Sequence, residues 1–292
     1  MNAFGFLNIN KPSGMTSHDV VAQLRRTLRL RKLGHAGTLD PLATGVLVLC
    51  VGQATRLSEY VMRGDKRYRA VIQAGVSTES YDAEGEVLSR RDASGLERQT
   101  VMEALDRFRG DQQQLPPMYS AVKQDGRKLY ELARAGKTVT RRPREVTIHT
   151  LELVDWTPPT FTLELGCSAG TYVRSLAHDL GEALGTGAYL AALTRTASGA
   201  FRLQDAVTPE DVLAGPDWRC LLVPPSQALP QMPQIRLDEI ARDRLLLGQT
   251  VARRAGDPSS ALAQALGPTG SLLAIVECKG SLWQPRKVFP PP

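Results

Sequence analysis

The feature that most constrains this chain is the segment Gly34-His35-Ala36-Gly37-Thr38-Leu39-Asp40-Pro41-Leu42-Ala43-Thr44-Gly45-Val46-Leu47, where one carboxylate sits among glycines and apolar side chains. Glycines at 34, 37 and 45 open backbone conformations closed to other residues, and Pro41 fixes the chain directly after Asp40. The run Val46-Leu47-Val48-Leu49-Cys50-Val51 that follows reads as a buried strand, so the acid stands where a shaped loop meets the core. Taken alone, an Asp-Pro pair is most often a turn whose carboxylate bonds its own backbone.

Other blocks change that balance. Lys66-Arg67-Tyr68-Arg69 leads into an alternating strand that would place Tyr68 and Lys66 on one face and Arg67 and Arg69 on the other. Cys167-Ser168-Ala169-Gly170-Thr171-Tyr172-Val173-Arg174 follows a strand and opens a helix expected over residues 175–184. With the Asp40 loop, these blocks resemble the TruB-type pseudouridine synthases: the loop matches GHxGxLDPxAxGxL, the second block K-x-Y, the third CSxGTYxR, and Met118-Tyr119-Ser120-Ala121-Val122-Lys123 matches M-Y-S-A-x-K. The resemblance spans roughly residues 5 to 205 in ordered blocks.

That resemblance implies an isomerase of tRNA that converts the T-loop uridine at position 55 to pseudouridine, with no cofactor, no metal and no redox step. It casts Asp40 as the essential aspartate, Tyr68 as the residue packed on the flipped base, and Arg174 as the partner of the aspartate. It further places Tyr172 and Leu193 at the uracil pocket, Asp82 on the same arginine, His35 against displaced RNA bases, and Lys66 beside the substrate. A guanidinium next to a poorly solvated carboxylate keeps it ionised and fixes its rotamer, so the Asp40–Arg174 pairing is physically sensible. Spacing alone gives blander alternatives: a surface helix charge for Arg174, a half-exposed strand tyrosine for Tyr68, a turn histidine for His35 and a core leucine for Leu193. Thr194 stands where the family often carries arginine.

A formal net charge of +6 with a pI near 9.3 favours a polyanionic partner. Basic residues gather at Arg25-Arg26, Arg29 and Arg31-Lys32, at Lys66-Arg67 with Arg69, and at Arg141-Arg142 with Arg144, while Arg127, Lys128, Arg134 and Lys137 form a candidate RNA clamp. The four cysteines, Cys50, Cys167, Cys220 and Cys278, lie far apart without ligand spacing, and the four histidines are scattered, so neither a zinc site nor a disulfide framework is indicated. No run is apolar enough to span a bilayer, and the start lacks signal-peptide character; a cytoplasmic protein without membrane attachment is expected.

The patterning predicts an α+β pseudouridine synthase fold, its central sheet mainly antiparallel and flanked by helices, with a small β-rich PUA-like C-terminal domain. Ser17 reads as the N-cap of a first helix carrying Val20, Val21, Leu24 and Leu28; residues 54–62 and 100–109 read as helices, and Gln112-Gln113-Gln114-Leu115-Pro116-Pro117 as a break. Expected boundaries are a catalytic domain over 1–214, a Pro-rich linker over 215–234 and the PUA-like RNA-binding domain over 235–292. Two other functions compete: a guide-RNA-dependent relative, against which the short tail from Ile235 argues, and an RNA-binding protein with a vestigial acid, against which the intact Asp40, Tyr68 and Arg174 set argues. The expectation is a stand-alone monomer acting on the T-stem-loop of tRNA without guide RNA.

Overall fold

The apolar run after Asp40 is buried on both faces because it runs through the middle of the molecule: Leu47, Leu49 and Val51 enter one hydrophobic cluster, and Val46, Val48 and Cys50 another. The computed structural model describes residues 3–120, 122–124, 126–136 and 139–290. In chain order the first elements are β1 (Gly5–Lys11), α1 (Ser17–Thr27), β2 (Leu33–His35), β3 (Thr44–Val51), α2 (Ser58–Met62), β4 (Lys66–Ala74), β5 (Val76–Thr78) and β6 (Val87–Arg90). Next come α3 (Arg98–Asp106), β7 (Gly110–Gln114), β8 (Lys123–Gln124), β9 (Arg127–Lys128), α4 (Leu129–Arg134), β10 (Arg144–Thr157), β11 (Thr160–Cys167), α5 (Val173–Ala183), β12 (Ala188–Ser198), β13 (Phe201–Arg202) and α6 (Pro209–Ala214). The last are β14 (Gln234–Arg236), α7 (Glu239–Leu246), β15 (Val251–Ala252), β16 (Leu262–Leu266), β17 (Leu272–Lys279) and β18 (Leu282–Val288).

The main sheet runs β1-β3-β12-β4-β11-β10-β7, with β2 and β13 at its margin. Its pairs are antiparallel except β3 with β12, which run parallel through Thr44 opposite Thr194 and Arg195 opposite Gly45. This is the expected α+β architecture. Val20, Val21 and Leu24 of α1, Val101 and Leu105 of α3, and Leu176 and Leu180 of α5 meet the inward residues of the sheet in one core. A second sheet, β14-β16-β17-β18-β15, closes around Trp283, Leu245 and Ile235.

Three local expectations are corrected. The N-cap of α1 is Thr16, whose side chain accepts from the Asp19 backbone while the Asp19 carboxylate accepts from the Thr16 backbone. Ser17 is turned inward instead. The stretch 54–62 begins as a 3₁₀ turn at Gly52–Leu57 and becomes α-helical only over Ser58–Met62. Of the stretch 112–117 read as a break, which does follow the end of α3 at Asp106, residues 112–114 belong to the edge strand β7, paired with β10 through Gln114 opposite Arg144 and Gly110 opposite Ile148, while 115–117 lie in no regular element. Long polar side chains suit an edge strand that has solvent on one side, which a hydrophobic pattern does not reveal. The Pro-rich segment before the second sheet packs on the first: Val223 exchanges backbone hydrogen bonds with Phe6 (2.9 and 2.8 Å), and Leu229 is fully buried. Lys137 and the side chains of Lys128 and Arg134, three of the four clamp cations, lie outside the described residues.

Candidate active site

The Asp40 turn is held from three directions by groups that reach its backbone. From α1, the Ser17 hydroxyl donates to the Leu39 carbonyl (3.0 Å) and accepts from the Leu39 amide (2.8 Å). From the end of β1, the fully buried Lys11 ammonium donates to the carbonyls of Pro12, Met15 and Pro41 at 2.8, 2.6 and 3.2 Å. From β12, the buried Arg195 guanidinium donates to Val46 (2.7 Å), Thr38 (3.2 Å) and Gly37 (3.0 Å), clasping the loop on both sides of the acid. Gly45 is required here: its φ is 95°, and a Cβ would stand 2.3 Å from the Arg195 carbonyl oxygen.

Across the carboxylate stands α5. Arg174 places Nη2 3.2 Å from Asp40 Oδ1 and Nε 3.0 Å from Oδ2; the second is a charge contact rather than an aligned hydrogen bond. Its Nη1 donates to Asp82 Oδ2 (3.2 Å) and the Ser80 carbonyl (3.3 Å), and Nη2 also donates to the Tyr119 carbonyl (2.9 Å). Asp82 in turn accepts from the Ser80 hydroxyl and the Glu84 amide. The side chains of Asp82 and Arg174 are 3% and 6% exposed, that of Asp40 is 34% exposed. Of the three charges, Asp40 is the one open to a ligand. Desolvation pushes its carboxyl above the ordinary range, opposed by the Arg174 charge and reinforced by that of Asp82.

The other expected residues are distributed as follows. The half-buried Tyr68, next along the inward face of β4, has its phenol pushed up by burial, with the nearby Arg195 opposing. His35 on β2 is held below its usual value by burial and then by Arg195 and His18, so its imidazole is neutral at neutral pH; Nδ1 is buried without a hydrogen-bond partner among the described residues. Leu193 is buried on β12 opposite Ala70, and its carbonyl faces the Thr44 hydroxyl. Tyr172 is the N-cap of α5, its amide and carbonyl both taken by the Gln114 side chain at 2.7 and 3.0 Å. Lys66 is turned away from the Asp40 carboxylate contacts: its ammonium donates to the carbonyls of Met62 and Gly64, and burial lowers it to about 8. Asp40, Arg174 and Asp82 are thus in direct contact, with Tyr68 and His35 gathered around Arg195.

Lys11, Ser17, Gln114 and Arg195 are the residues that sequence reasoning passes over. Lys11 looks like a turn lysine and Arg195 like one cation among many, because a basic side chain carries no mark of burial in sequence. The signal available is the register: Arg195 lies two residues beyond Leu193, on the same strand face.

Residues 25–173 match the TruB family pseudouridylate synthase N-terminal domain, and residues 174–218 match the tRNA pseudouridylate synthase B C-terminal domain. The chain is 52% identical over 253 residues to tRNA pseudouridine synthase B of Symbiobacterium thermophilum, covering 86% of this chain and 84% of that one. It is 44% identical over 279 residues to the protein of the same name from Pseudomonas aeruginosa, covering 94% and 91%. Among solved structures it is similar to a chain of a Cbf5-Nop10-Gar1 complex, with a TM-score of 0.76 at 27% identity over 99% of this chain and 86% of that one. A loop centred on one accessible acid, a buried arginine that fixes it and these likenesses over nearly the full length agree: the chain belongs to the TruB family of pseudouridylate synthases.

Proposed function

We propose that this enzyme isomerises the T-loop uridine of tRNA to pseudouridine, with Asp40 as the group that opens the glycosidic bond. The observation that carries the reading is the gradient of exposure along Asp82, Arg174 and Asp40, which leaves a single oriented carboxylate facing solvent. A uridine stacked in a folded RNA is out of reach, so the base is flipped out at a cost of a few kcal/mol and received beside the acid. Asp40 acts there as nucleophile or base while the bond from C1′ to N1 breaks; the uracil turns, C5 bonds to C1′, and the proton on C5 leaves as N1 gains one. Atoms and electrons balance within the substrate, as an isomerisation requires. Arg174 keeps the carboxylate ionised and aimed, and Tyr68 supplies the aromatic surface for the base. Tyr172 and Leu193 line the remainder of the uracil site, Asp82 anchors Arg174, His35 meets the displaced bases, and Lys66 stands beside the substrate.

Residues 1–214 form the catalytic domain in this reading, 215–234 connect it to the next unit, and 235–292 serve as a PUA-like RNA-binding domain. The protein works in the cytoplasm as a monomer without guide RNA. The similar Cbf5 structure was solved as a three-protein complex, an observation on the side of the guide-dependent reading. A single experiment tests both. Purified chain and an unmodified tRNA transcript are incubated, and pseudouridine is mapped by position. Modification at the T-loop uridine is expected; absence of product until guide RNA or partner proteins are added would overturn the stand-alone reading.

A further inference from the structure

The segment carrying Asp82 is held by a contact outside the ion pairs. Tyr81 sits in the left-handed region with φ 66°, which an L side chain adopts at a cost. Its ring lies flat on the His178 imidazole, centroids 3.9 Å apart and planes 10° apart. His178 follows Arg174 by four residues on α5, so both project from one face of the helix. One turn of helix therefore grips the segment twice: Arg174 takes the Ser80 carbonyl and the Asp82 carboxylate, and His178 takes the ring between them. The imidazole Nδ1 is buried with no hydrogen-bond partner among the described residues, so the ring is located by its face rather than by that edge. On the other side, the Tyr81 carbonyl accepts from the Leu190 amide (3.0 Å) and the Ala83 amide donates to the Leu190 carbonyl (3.1 Å).

We propose that His178 is a positioning residue: by stacking on Tyr81 it holds residues 80–83 in the conformation that presents Asp82 to Arg174, and through Arg174 it aims the Asp40 carboxylate. The inference rests on the reading of Asp40 given above. Ser80 and Glu84, which satisfy Asp82, belong to the same segment, so a relaxed Tyr81 backbone would carry Asp82 and both its donors away together. Arg174 would keep its helix position but lose the carboxylate that fixes its far edge. The damage then falls on orientation of Asp40 and not on the surface that binds RNA.

The test uses the full chain with a tRNA transcript. His178→Ala should lower kcat about tenfold to a hundredfold, the scale of a misaligned reacting group, with KM little changed. His178→Phe, which keeps a flat ring, should restore most of the rate. Tyr81→Gly removes the ring while suiting the left-handed backbone, and should fall with His178→Ala; a fully active Tyr81→Gly would mean that the backbone alone suffices and would overturn the proposal. Hydrogen exchange at the Ala83 and Leu190 amides reads the clamp independently of chemistry. Protection should drop in His178→Ala and return in His178→Phe. Unchanged protection, or reduced protection with an unchanged kcat, overturns the positioning role. Failure of the Asp40 reading shows separately, as turnover by Asp40→Asn, and leaves the exchange result standing on its own.

Discussion

The Asp40 site and the C-terminal sheet use the same charged residue types to opposite ends. Around α7 the ion pairs lie in water: Arg242 meets Glu239 and Asp243, and Arg254 meets Asp238, all among half-exposed or exposed side chains. Their neighbours bury Trp283, Ile275 and Val276, so that sheet is held by apolar contact while its charges only solvate the surface. At the site the order is inverted. Arg174, Arg195 and Lys11 are buried, and their partners are carboxylates or loop carbonyls drawn from segments far apart in the chain. Burying ions is costly unless each is paired and hydrogen-bonded, so these cations are retained for geometry rather than for net stability.

The contrast between the two regions is probed most directly at Asp40. Asp40→Asn should cut turnover by about three orders of magnitude or more while leaving tRNA affinity intact, as removal of a reacting group does. Its unfolding midpoint should hold or rise, since burial disfavours the ionised form and Arg174 retains Asp82. Single-turnover kinetics beside a thermal melt would show both, and a destabilised variant would return Asp40 to the class of structural turn acids.

Next in size is Arg174→Ala, expected to cost about 3–5 kcal/mol of stability because it removes the cation partner of the buried Asp82 carboxylate. The matched control is Arg242→Ala on α7, for which denaturant titration should show no measurable change. Equal effects would erase the distinction between the two regions.

A finer test is pH. Asp40 has its folded pKa raised, so the acid limb of kcat should lie above the ordinary carboxylate value of 3.8, and the rate should fall as pH drops through it. Linkage runs the other way for stability: a carboxyl whose pKa is higher folded than unfolded favours the native state progressively as it takes up its proton. Activity and the Asp40 contribution to stability should therefore move in opposite directions on acidification. A limb at or below the ordinary value would show that the Arg174 charge outweighs burial.

The smallest expected effect is on the basic surface. Arg141 is tied to the Pro116 carbonyl, whereas Arg142 and Arg144 are exposed. Neutralising the latter two should flatten the slope of log affinity against log salt by about one unit for each phosphate that is no longer neutralised. An unchanged slope would make them an ordinary solvated face.

Residues whose type and spacing are both distinctive are legible in sequence. Glycine at 45 and proline at 41 mark the loop, the unbroken apolar run marks β3, and the Cys167 to Arg174 block places an arginine at the start of a helix. The contacts that assemble the site are less so. The role of Ser17 depends on which of two adjacent hydroxyls caps α1, a choice settled by the fit of Leu39 against the helix end. Arg195 and Lys11 depend on burial, which arises only when β12 and β1 close over the loop. The β7 edge depends on the backbone of β10 as a partner, and glutamines show no preference for it.

The parallel meeting of β3 with β12 has a consequence for the making of the protein. Asp40 and Arg174 are 134 residues apart in sequence, and Arg195 clasps the Thr38 carbonyl across 157. Contacts of such separation repay the closure of a long loop only late in folding. A ribosome that has released only the first half of the chain has thus made the acid, its proline and its glycines, with Lys11 and Ser17 to hold their backbone, yet neither Arg174 to aim the carboxylate nor Arg195 to clasp the loop. If Asp40 is the reacting group proposed above, competence waits for β12 to emerge, and a truncated or stalled product should be inert toward RNA chemistry even where its loop sequence is intact.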